Sequence, residues 1–152
     1  MLIETLRIIF KRDLTQLRVE IDLYPNEEKI WVIEHGIANS AGNLCLHLIG
    51  NLNYFIGEEI GKSGYVRNRP LEFSLKDIPK AKLIEQIDAT IGVVDGALST
   101  LKPKDLAKEY PILVFKEKTT TEYFLVHLAT HLSYHLGQVN YHRRLLAKSS
   151  EL

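Results

Sequence analysis

His127, His131 and His135 follow one another at intervals of four residues near the C-terminal end of the sequence. That spacing sets side chains in one row along one face of an α-helix, with neighbouring Cβ atoms about 6 Å apart. Two imidazoles on adjacent turns can converge on one divalent ion. Two ligands make a weak site, so a third must come from another segment. Of the other histidines, His47 lies in the most strongly helical stretch. His35 falls in an expected turn, and His142 is too far along the axis to share an ion with His135. The plainer alternative is a set of core or surface histidines with ordinary hydrogen-bond partners. Gln138, three residues past His135, continues the row.

The element that carries the row is expected to run from Thr119 to Leu146. Thr119 and Glu122 have the spacing of a capping box, and Arg143, Arg144 and Lys148 suit a C-terminal end. Leu125, Leu128, Leu132, Leu136 and Val139 supply its apolar surface. A second helix is expected from the N-caps Asn39 and Ser40 to about Ile60, with Gly61 as its stop. Leu44, Leu48, Leu52 and Phe55 form its apolar stripe. Asn43, His47 and Asn51 form a polar row, again spaced by four. A polar row on a greasy helix is costly unless it is paired or faces a cavity. Gly50 and Gly57 each weaken this helix by about 1 kcal/mol relative to alanine, which points to close packing there.

Two more helices complete the set. Leu6, Phe10, Leu14, Leu17 and Ile21 recur at helical spacing over residues 2–23. Leu83, Ile87, Ile91, Val94 and Leu98 do so after Asp77-Ile78-Pro79, and Lys102-Pro103 closes that helix. Between the second and third helices, Gly64 and Pro70 argue for an irregular connection over residues 62–76. Residues 27–33, with Trp31, read as a helical turn or packed loop. Tyr110 to Phe115 reads as an extended piece or packed crossover. Four long helices and little else predict an all-α protein, a four-helix bundle with a long crossover connection, forming a single domain over residues 1–152.

Composition narrows the function. Nineteen basic residues balance nineteen acidic ones, so no basic field is available for nucleic acid. No apolar run approaches the roughly 20 residues that cross a bilayer, and the N-terminus reads as an amphipathic helix and not a signal peptide. A single cysteine, Cys45, excludes an internal disulfide and suits a reducing compartment. A cytoplasmic protein is expected, without a nucleic-acid or membrane partner. The apolar outer stripe of the first helix is a candidate homodimer face.

Three pieces, in order, carry a family resemblance. They are NSAGNLCLHLIGN in the second helix, Arg67-Asn-Arg69-Pro-Leu-Glu72-Phe73 in the connection, and HLATHLSYHLGQVNYHRRLL in the last helix. Together they resemble the DinB-like superfamily of metal-binding four-helix bundles over nearly the whole chain. The resemblance implies a divalent metal, zinc or nickel foremost, held by one histidine of the second helix and two of the last, at positions His47, His131 and His135. It also implies a metal-dependent transferase that uses a low-molecular-weight thiol against an electrophile. Three neutral imidazoles leave an ion an open position for water or thiolate. Hydrolase-like chemistry would use the same open position. Against this stands a non-catalytic metal or small-ligand binding protein of stress-response type.

The remaining candidates each have two readings. Arg67 and Arg69 read as an anion clamp for a substrate, or as an internal bridge to Glu72 that pins the connection. Gln138, His127 and Asn51 read as pocket-lining groups, or as residues satisfied by the backbone and by packing. Cys45, two residues from His47, faces away from it and reads as a small core residue. Tyr134 reads as packing between helices. His142, with Arg143 and Arg144, reads as a solvated helix end.

Overall fold

A computed structural model describes residues 1–147; Lys148, assigned above to a helix end, lies outside the described residues. The regular elements among the described residues are all helices. The elements are α1 (Leu2–Asp22), a 3-10 turn (Glu27–Trp31), α2 (Ala41–Leu52), a π-helical segment (Asn53–Glu58), α3 (Arg69–Ser74), α4 (Lys80–Ser99), α5 (Pro103–Leu106) and α6 (Thr121–Leu146). One antiparallel bridge, between Glu109 and Thr120, is the only β pairing among them. None of these helices is long and apolar enough to cross a membrane.

Helix α2 is the central rod. All twelve of its residues are buried, the polar row included. A helix buried on every side needs partners on every side. It packs on α4 and α6, which α1 packs on in turn, while α3 and the 3-10 turn cover its remaining surface. The core between these rods includes Phe10, Leu14, Leu17, Leu48, Leu52, Leu83, Ile87 and Leu132, each essentially inaccessible to water. Cys45 sits among them, and burial pushes its thiol up to about 12, so it is an inert core residue.

Several expectations need correction. The second helix does not run as an α-helix to Ile60. Beyond Leu52 it widens to π geometry: the Glu59 amide donates to the carbonyl of Tyr54, and that of Gly61 to Ile56. The Phe55 carbonyl is thereby released and accepts from the Tyr110 hydroxyl at 2.6 Å. The Asn53 amide adds a clasp, donating to the Ile49 carbonyl at 2.8 Å and to Thr90 Oγ1 on α4 at 2.9 Å. The connection over residues 62–76 is not irregular throughout. It contains α3, in which Pro70 occupies the first turn, where no intrahelical N–H is needed. Pro103 likewise opens a helix, the single turn of α5, where the Asp105 carboxylate accepts from the Lys102 amide at 2.8 Å.

The capping box of α6 also differs. Thr120, not Thr119, is the N-cap and accepts from the Tyr123 amide at 3.1 Å. The Thr119 carbonyl instead accepts from the Tyr110 amide in the bridge. His142 is not at a solvated end; it is 7% exposed. Its Nε2 donates to the Val32 carbonyl at 2.8 Å, which leaves Nδ1 to accept from the Tyr24 hydroxyl at 2.6 Å. Burial holds this imidazole below its ordinary pKa, against the Val32 bond. Tyr134, expected between helices, is exposed.

Candidate metal centre

The facing of α2 and α6 brings His47, His131 and His135 together. One ligand atom from each lies within 4.8 Å of the others, and the ring centroids are 4.5–5.4 Å apart. His47 Nε2 stands 3.3 Å from His131 Nε2. A tetrahedral ion with metal–nitrogen bonds of about 2.0–2.1 Å separates its ligand nitrogens by about 3.3 Å, so this pair already has a ligand spacing. His47 is buried, while His131 and His135 are half-buried.

Two of the three tautomers are fixed from behind. His47 Nδ1 lies 3.0 Å from Glu72 Oε1. The ionised carboxylate can only accept, so the proton sits on Nδ1 and the Nε2 lone pair points into the cluster. His135 Nδ1 donates to the Gln138 amide oxygen at 2.6 Å, with the same result. His131 has no such support: its Nδ1 is buried without a partner among the described residues. Burial first, and then repulsion from His135, His47, His127 and Arg67, pulls His131 down to about 4. Burial also lowers His135, against the Gln138 bond. Both rings are therefore neutral at pH 7, the form that ligates a metal.

Glu72 is the residue that sequence reasoning underrated. It is buried at 6% exposure. Burial alone would raise its carboxyl, but hydrogen bonds from His47 and Arg67 outweigh this and hold it below the usual carboxylate range. Arg67 grips it with two donors, Nε and Nη2, each at 2.9 Å. The approach is possible because residue 50 is glycine: a Cβ there would stand 2.0 Å from Glu72 Oε2. Asn43, one turn before His47, donates to the carbonyls of Glu72 and Leu75 and so straps α3 to α2. The signal available in the sequence was the Arg-x-Arg-x-x-Glu spacing, which suggested a bridge from one of the arginines but not the histidine beyond it.

The other candidates lie around this centre. Arg67 also lies over the rings of Phe55 and Tyr54. Arg69 is exposed, lies over the Phe73 ring at 5.1 Å and has no carboxylate partner among the described residues. Phe73 in turn packs on the His47 ring at 5.0 Å. His127 is stacked on Phe124 and faces the edge of Phe115, with its ring 6.2 Å from that of His131. Asn51 is buried, and its Oδ1 has no partner among the described residues.

The fold and cluster thus define an all-helical protein with three convergent imidazoles that could hold a metal ion. The chain belongs to DUF1572, a family described as a protein of unknown function, whose model matches residues 2–150. No curated protein matches it.

Proposed function

We propose that the protein is a divalent-metal-binding four-helix bundle of the DinB-like type, with His47, His131 and His135 as the ligands. The observation that carries this is the convergence of three imidazole donors from two helices, two of them with their lone pairs turned inward by Glu72 and Gln138. Imidazole donors suit zinc and nickel alike. When bound, such an ion supplies Lewis acidity and lowers the pKa of a water or thiol at its open position.

The chain's own groups divide the remaining work. Glu72 holds the His47 proton on Nδ1, and Arg67 neutralises that carboxylate, so we assign Arg67 to positioning. Arg69, uncommitted and at the surface, is the group for an anionic part of a substrate. His127, Asn51 and Gln138 border the cluster and complete a polar approach to it. A metal-dependent transferase acting on a small thiol and an electrophile, in the cytoplasm, fits this set; so does a non-catalytic ion-binding protein. The half-buried, open-sided cluster favours the first, because a purely structural ion is enclosed by four protein ligands.

Elemental analysis of protein purified without nickel resin tests the ligand set. Wild type is expected to hold about one equivalent of metal and His131→Ala to lose it. Equal metal content in the two would refute the assignment. Thiol-transfer assays on the loaded protein then separate enzyme from binding module.

A further inference from the structure

A cavity of about 470 Å³ opens between the C-terminal half of α6 and residues 34–39. Of its wall, the metal reading uses only Gln138. Its wall is mainly apolar, from Ile37, Leu44, Tyr134, Tyr141, Leu145 and Leu146. Three of these are left far more exposed than large apolar side chains usually are: Tyr134 at 65%, Tyr141 at 64% and Leu145 at 73%. Clustered exposure of this kind around a concavity marks a binding surface.

The cavity adjoins the histidine cluster through two of its wall residues. The Tyr134 ring meets the His135 ring at 5.2 Å. Gln138 lines the cavity, and its amide oxygen is committed to His135 Nδ1. Its amide NH2 therefore remains, with no partner among the described residues. His142, also in the wall, offers nothing further, since both its nitrogens are bonded to Tyr24 and Val32. Glu34 and His35 are exposed and pair with each other at 3.6 Å. The wall thus presents a large apolar surface with a few uncharged donors, the amides of Gln138 and Asn39 and the hydroxyls of Tyr134 and Tyr141, and that of Gln138 is bound to a ligand histidine through its other end.

We infer that this cavity binds a small molecule with an apolar body and a single acceptor, a carboxylate or carbonyl, seated on the Gln138 amide. An occupant so placed sits by the Nδ1 side of His135, behind the nitrogen that faces the cluster, so its binding rests on the cavity alone and not on the metal reading. A compact apolar carboxylate matches a greasy wall that carries uncharged donors, whereas a second copy of the chain would bring a broad face to a concave wall.

Gly137 provides the test. It lines the cavity, and a side chain added there meets nothing within 4 Å. Gly137→Phe should fill the space while replacing a helix-weakening residue; Gly137→Leu serves should the larger variant fail to fold. The probe is 2-naphthoate, titrated into the full chain with and without EDTA. Expected is saturable one-to-one binding in both conditions, weakened about tenfold or more by the filled cavity. Gln138→Leu should weaken it about fivefold, the loss of one hydrogen bond. Absence of one-to-one binding, or equal affinity in the filled variant, overturns the inference. So does sedimentation showing a wild-type dimer that the filled variant dissociates. Naphthoate binding by a chain that takes up no metal would leave the cavity standing and remove the metal reading; metal uptake without naphthoate binding would do the reverse.

Discussion

Among single residues, Gly50 has the sharpest consequence. The atom a Cβ would meet is the end of a side chain, which ordinarily swings aside. Glu72 cannot do so cheaply, because Arg67 holds both its oxygens and His47 one of them. Gly50→Ala should therefore destabilise the fold by about 1–3 kcal/mol despite the gain in helix propensity. Urea denaturation measures that. It should also reduce metal affinity about 10- to 100-fold, the usual effect of losing support behind a ligand histidine. Unchanged affinity would mean that Glu72 does not orient His47. The three histidines were legible as spacing plus family likeness. Glu72 was legible only as a partner for one of the two arginines, because its contact with His47 depends on a missing Cβ 22 positions earlier and not on any local pattern.

Among elements, sequence periodicity located every long helix to within a few residues but missed where helical geometry changes. The π segment after Leu52 is set from outside itself. Thr90 on α4 takes the Asn53 amide, and Tyr110 from the crossover takes the Phe55 carbonyl. Neither partner is encoded in the apolar stripe that suggested an α-helix to Ile60. Pro70 was discounted for a related reason: proline is a helix breaker in the interior and a helix starter in the first turn, and the choice depends on the Asn68 cap before it. Tyr110 is 1% exposed, so its hydroxyl cannot turn to water when unpaired. Tyr110→Phe removes the donor and leaves the Phe55 carbonyl short of a partner. A loss of about 1–2 kcal/mol is expected in equilibrium unfolding. No loss would show that this carbonyl is satisfied by other means.

Across the whole molecule, the C-terminal end of α6 is bound to α1 and to the 3-10 turn by buried polar groups. Glu20 accepts from Asn140 at 2.8 Å and from Arg143 at 2.6 Å, and these contacts outweigh burial to keep it ionised. His142 ties Tyr24 to Val32 and is held below its ordinary pKa. An imidazole with a depressed folded pKa is protonated more readily in the unfolded chain. Its contribution to stability is therefore complete above about pH 6.5 and is lost as pH falls from there through the folded value. His131 and His135 act in the same sense, so the comparison must be between variants. His142→Gln should flatten the fall in stability below pH 6.5 relative to wild type, by up to about 1.4 kcal/mol per pH unit. Parallel curves would show that His142 titrates alike in both states. The sequence placed His142 beside two arginines and so suggested solvent; only the packing of α6 against Tyr24 and Val32 revealed a buried group.

Asn43 holds the carbonyls at both ends of the Glu72–Leu75 stretch, so α3 is fastened to the same rod that carries His47. If an ion favours the inward-facing lone pair of His47, it favours the seated position of that short surface helix by an equal free energy, since such coupling is reciprocal. A small change in how one surface turn sits would then set the grip on a cation more than a full turn of chain away, and loading of the cation would in its turn quieten that surface.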